Sequence, residues 1–146
     1  MNGPLRAIEL SKTSVEAGGF PVGAVILQND IVIAEGISNG KELHDPTSHA
    51  ETVAIRRACK ELGSRSLRNT TLYSSMEPCL MCLSASSWAS IPKIVYAASR
   101  ERLDPQHFEG THDIRQINAA MKKPIELVHA EDYEEIALQV IRDWEA

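Results

Sequence analysis

Residues 70–98, TTLYSSMEPCLMCLSASSWASIPKIVYAA, decide the architecture. Thr70–Ser74 is rich in β-forming residues and predicts a strand, Glu77 and Pro78 follow it, and a helix is expected from about Cys79 to Ala89. The short apolar run Lys93–Ala98 then predicts a buried strand. A strand, a crossing helix and a second strand call for parallel pairing with the helix laid on the sheet.

On the N-terminal side, Pro4–Ala17 places Leu5, Ile8 and Val15 at helical spacing, with Gly18 and Gly19 ending the helix. Gly23–Leu27 and Ile31–Ala34 are apolar runs separated by Gln28, Asn29 and Asp30, a hairpin pattern. Lys41–Ser48 is a polar loop. From His49 the spacing of Ala50, Val53, Ala54, Ala58 and Leu62 predicts a helix closed by Gly63, with Thr47 or Ser48 as its cap. On the C-terminal side, Arg100–Lys123 is polar and shows no readable period. Ile125–Val128 predicts a last strand, and Asp132–Trp144 carries Ile136, Val140 and Ile141 on one helical face. The expected fold is α/β, a three-layer α-β-α sandwich around a mixed five-stranded sheet, in a single domain spanning 1–146.

Apolar residues make up 43% and charged residues 24%, the balance of an ordinary globular chain. No stretch approaches the roughly 20 apolar residues of a membrane span, and the N-terminus lacks a basic region followed by an apolar run. A soluble, cytoplasmic protein without membrane contact is expected. Fifteen basic residues against 20 acidic give a net charge of −5, the reverse of a nucleic-acid-binding footprint.

Three cysteines, two of them two residues apart as Cys79 and Cys82, point to metal or redox chemistry rather than a disulfide framework. A catalytic zinc takes three protein ligands and leaves a fourth position for water. Cys79 and Cys82, at (i, i+3) on a helix start, face one side, and the helix dipole favours thiolates there. With His49 they supply three donors. Glu51, two residues after His49 at a helix start, can lean over the water without ligating the metal.

A Cys-x-x-Cys alone is shared with structural zinc sites and dithiol redox proteins. No second Cys-x-x-Cys or His-x-x-x-His completes a structural site here, and a thioredoxin-like dithiol belongs near the first strand rather than past mid-chain. His49-Ala50-Glu51 followed by Pro78-Cys79-Leu80-Met81-Cys82 matches a known pattern of zinc deaminases.

Asp45-Pro46-Thr47-Ser48-His49-Ala50-Glu51 with Glu77-Pro78-Cys79-Leu80-Met81-Cys82 resembles the cytidine deaminase superfamily. The resemblance is to its branch of guanine deaminases, tRNA adenosine deaminases and cytosine deaminases. Pro21–Val25 and Leu72-Tyr73 extend the similarity to about Gly19–Ala98. It implies a cytidine deaminase-like fold and one Zn2+ per chain held by His49, Cys79 and Cys82. In the implied mechanism zinc lowers a water's pKa, Glu51 takes its proton, and the hydroxide attacks the amine-bearing ring carbon.

Trp88-Ala89 and Tyr96-Ala97-Ala98 are similar to the guanine deaminase branch, so a free purine, guanine first, is the expected substrate. A pyrimidine ranks second, because the helix ending in Trp144 is similar to the site-closing tail of cytosine deaminases. tRNA adenosine ranks third, since the tail from Glu131 to Glu145 is acidic, and a non-enzymatic zinc-binding member ranks last. For base contacts the resemblance implies Ser38 or Asn39, at the place of a family asparagine after Gly36, together with Ala50, an aromatic at Trp88, and Asp113 or Glu109. It also implies a homodimer. His44, His107, His112 and His129 are read as surface or core residues, Trp88 equally as a core tryptophan on a buried helix, Glu109 and Asp113 more simply as parts of a solvated loop, and Cys59 as a small buried residue.

Overall fold

The computed structural model describes residues 1–146. Helix α1 (Gly3–Glu16) leads into the hairpin β1 (Gly23–Gln28) and β2 (Ile31–Ile37). The hairpin loop is two residues, Asn29 and Asp30, both at positive φ, the turn whose twist matches paired strands. A single turn α2 (Gly40–Leu43) precedes α3 (Ala50–Leu62), which Gly63 ends in the left-handed conformation. Then come β3 (Thr71–Met76), α4 (Leu80–Trp88) and β4 (Lys93–Ala98).

The unreadable stretch after β4 holds 3-10 turns at Arg100–Arg102 and Pro105–His107 and the short helix α5 (Ile114–Ala119). Strand β5 (Glu126–His129) and helix α6 (Glu134–Glu145) finish the chain. No helix is long and apolar enough to cross a membrane.

The sheet runs β2-β1-β3-β4-β5, antiparallel across β2, β1 and β3 and parallel across β3, β4 and β5. It is the mixed five-stranded sheet expected, with α4 as the crossover between parallel β3 and β4. Period-two alternation splits the strands between two faces. Val25 and Leu27 pack with Ala7 and Leu10 of α1, while Ala24, Ile26, Leu72 and Ile94 share the larger core with Ala50, Ala54 and Leu83 of α3 and α4. Helix α6 lies beside α1 and over β4.

Gly36 fixes how closely α3 sits on the edge strand. A Cβ there would lie 2.2 Å from the Ala50 carbonyl oxygen and 2.7 Å from the Ala54 nitrogen, so only glycine admits the helix at this height. Ala50 is the first residue of α3, and the contact therefore sets the depth of that helix's N-terminus.

Candidate metal and base site

Two helix starts converge beyond the end of β3. His49 is the residue before α3, with φ −78° and ψ 162°, and its backbone N–H donates to Thr52 Oγ1 at 2.9 Å. Cys79 likewise precedes α4, with φ −72° and ψ 171°. The sequence placed the α3 cap at Thr47 or Ser48 and both cysteines inside α4. In the structure His49 and Cys79 are themselves the cap residues, while Cys82 lies in the first turn of α4. This resolves the spacing of His49 and Glu51. An extended cap residue is free of the helical direction, so side chains two apart can serve one centre.

His49 Nδ1 stands 3.5 Å from Cys79 Sγ and 3.6 Å from Cys82 Sγ, and the three donor atoms lie within 4.8 Å of one another. A tetrahedral zinc with bonds of about 2.3 Å to sulfur and 2.0 Å to nitrogen requires N···S separations of roughly 3.5 Å. The donors fit that ion in identity, number and spacing. Glu51 is buried beside them, 4% exposed.

The metal donors and Glu51 shift one another's ionisation. Burial, reinforced by the Cys79 charge, pushes the Glu51 carboxyl up to about 7. A hydrogen bond with Cys82 pulls the Cys79 thiol down to about 5, and the same interaction, with burial, raises Cys82. Hydrogen bonding to Cys79 raises His49.

Next to these donors is a cavity of about 240 Å³ whose walls include Phe20, Ser38, Ala50, Met76 and His107. Ligand clefts ordinarily run from about 300 to 1,000 Å³, so this one suits a single heterocycle. Its rim depends on the segment after β4. The Arg100 guanidinium donates to the carbonyls of Gly110 and His112 (2.7 Å to the latter) and stacks 4.4 Å from the Phe108 centroid. The Glu77 carboxylate accepts from the Arg100 N–H at 3.1 Å.

Of the base contacts expected from sequence, Ser38 and Ala50 line the cavity. The Asn39 side chain is taken up by a hydrogen bond from Ser48 Oγ and lies to one side. Trp88 is not brought to the site within this chain. It ends α4 at 87% exposure, because the buried residues of that helix are Cys82, Leu83 and Ser86. Asp113 is also elsewhere, capping α5 by accepting from the Arg115 N–H at 2.9 Å and pairing with that guanidinium.

Glu109, read as part of a solvated loop, instead receives the N–H groups of Leu80 (3.3 Å) and Met81 (3.1 Å) at the start of α4. Burial would raise this carboxyl, but amide donors outweigh it and hold it below the usual carboxylate range. Phe20, Met76 and His107 were not expected at the cavity. His107 lay in the unreadable stretch, and only its placement beside an acidic, aromatic C-terminus could have drawn attention to it.

A family model for the zinc-binding region of cytidine and deoxycytidylate deaminases matches residues 4–98. The chain belongs to this deaminase family. Its members are hydrolytic, zinc-dependent enzymes, and the chain is one of them. Guanine deaminase of Bacillus subtilis is 43% identical over 114 residues, which cover 77% of this chain and 73% of that protein. A tRNA-specific adenosine deaminase of Aquifex aeolicus is 38% identical over 101 residues, covering 69% and 64%. The X-ray structure of the Bacillus subtilis guanine deaminase superposes with a TM-score of 0.71 at 36% identity, covering 98% of this chain and 95% of that one.

Proposed function

We propose that this deaminase acts on a free nucleobase, guanine first, replacing an exocyclic amine by oxygen and releasing ammonia. The observation that carries the reading is the buried Glu51 carboxyl beside three convergent metal donors, at the wall of a cavity sized for one base.

His49, Cys79 and Cys82 would hold one Zn2+ per chain. When bound, zinc supplies Lewis acidity that makes a water nucleophilic near neutral pH. Glu51 accepts the proton that the water loses as its oxygen attacks the amine-bearing carbon. It then returns protons to the ring nitrogen and to the departing amine. A carboxyl held up near neutrality is suited to both duties, since base and acid forms are then close in energy. Met76 and Phe20 give the cavity apolar wall, which strengthens each polar contact made inside it.

A free base rather than a polynucleotide is supported by the net charge of −5 and by the small cavity. The likeness to tRNA adenosine deaminases keeps adenosine in tRNA as the second reading. A homodimer is the proposed assembly, supported by the large apolar side chain of Trp88 left bare on α4. The proposed setting is one domain over 1–146 in the cytoplasm.

The test is ammonia release by the zinc-loaded protein from guanine, cytosine and an adenosine-34 anticodon stem-loop. Guanine should yield xanthine and one ammonia per turnover. Inosine in the stem-loop with untouched free bases would replace the first reading by the second.

A further inference from the structure

Three aromatic rings meet at the rim of the cavity, brought from three parts of the chain. Phe20 follows α1, His107 ends the second 3-10 turn, and Trp144 lies in the last turn of α6. Phe20 and His107 meet edge-to-face at 5.2 Å, and Phe20 and Trp144 lie 4.7 Å apart. Phe20 and His107 line the cavity shared with His49 and Glu51, whereas Trp144 lines an adjoining hollow with Phe20 and Ser38.

His107 is more than packing in this cluster. Its side chain is only 4% exposed, and Nε2 lies 3.1 Å from Glu145 Oε1. A carboxylate accepts and cannot donate, so Nε2 carries the hydrogen, and in the neutral imidazole Nδ1 keeps a lone pair. No group of the chain donates to that nitrogen. The imidazole that lines the cavity shared with Glu51 therefore carries a hydrogen-bond acceptor, and the residue that orients it comes from the C-terminal helix.

Amino-heterocycles carry N–H and NH2 donors on their edges, and a buried donor left without an acceptor weakens binding by about tenfold to a hundredfold. We infer that His107 is a base-binding and specificity-determining residue, accepting a ring or amino N–H through Nδ1, with Glu145 as the positioning residue that sets its orientation. Phe20 meets the imidazole edge-to-face, and Trp144 lies tilted 6.0 Å from it. The inference rests on the nucleobase reading above and deepens it: the preferred substrate is a base that offers a ring or amino N–H besides the amine it loses.

His107→Phe keeps the ring and its packing but removes the acceptor, and His107→Asn restores an acceptor without the ring. Ammonia release from guanine by His107→Phe should show KM raised about tenfold to a hundredfold with kcat within about threefold, the signature of lost uniform binding. His107→Asn should recover part of that loss, and Glu145→Ala should raise KM by a smaller factor.

Binding is read separately in protein carrying Glu51→Ala and Trp88→Phe, where Trp144 is the sole tryptophan. Guanine should quench Trp144 emission saturably, and adding His107→Phe should weaken that binding by the same factor as KM. Active wild-type protein whose KM and guanine affinity stay within twofold in His107→Phe would overturn the inference alone. Wild-type protein that neither releases ammonia from any free base nor shows quenching would overturn the nucleobase reading, and this inference with it.

Discussion

The metal corner and the rim of the cavity are built by opposite means. In the corner, His49 and Cys79 are fixed by backbone geometry at two helix starts, and Glu51 and Cys82 follow within one turn on helices backed by the buried sheet. At the rim, Phe20, His107 and Trp144 come from distant stretches and are held by side-chain interactions, with Arg100 bracing the intervening segment. Chemistry thus rests on backbone geometry at two helix starts packed on the core. Recognition rests on the part that can be altered one side chain at a time.

If that division holds, changes in the corner should strike turnover and changes at the rim should strike binding. The largest effect is expected for Glu51→Gln, which should lower kcat for ammonia release about 10²- to 10⁴-fold while metal analysis still finds zinc. Loss of zinc together with activity would show that corner and metal cannot be separated in this way.

The next effect concerns stability without metal. Burial first, and the Cys79 charge second, hold Glu51 up from 4.5 to about 7, so the folded chain prefers the protonated acid. That preference stabilises the metal-free fold fully below pH 4.5 and is lost as pH rises through about 7. Since a glutamine side chain cannot ionise, metal-free Glu51→Gln should gain on the wild type as pH climbs over this window, by at most roughly 3 kcal/mol. Thermal melts of both metal-free proteins at pH 4.5 and 8 would check this, and parallel curves would remove the buried-acid account.

The smallest effect is expected from Arg100→Ala. Losing the guanidinium bonds to the Gly110 and His112 carbonyls should loosen the rim and raise KM about tenfold, with kcat nearly unchanged. An equal fall in kcat would mean that the rim also positions the reacting atoms.

The same division governs what could be read from the sequence. The strands across 70–98 were legible from β-forming residues in β3 and from a continuous apolar run in β4, which is buried on both faces, and β4 falls on Lys93–Ala98 as expected. The donors His49, Cys79 and Cys82 were legible from residue type and spacing. Their role as cap residues was not, because Thr47 and Ser48 offer the usual hydroxyl caps and nothing local shows that His49 takes the extended geometry.

Between Arg100 and Lys123 no period exists to read. Order there depends on the reach of Arg100 to Phe108 and two carbonyls, and on Glu109 meeting the amides of α4. The exposure of Trp88 within this chain was hidden for a related reason. Helical spacing locates it on α4 but does not tell that Cys82 and Leu83 take the buried side.

Gly36 turns the outermost strand into a gauge for the reaction centre. Because the Ala50 carbonyl rests where a methyl group would otherwise stand, the position of His49 is calibrated from a residue that touches neither metal nor base. Substitutions along this edge can therefore detune zinc affinity while every ligand remains in place.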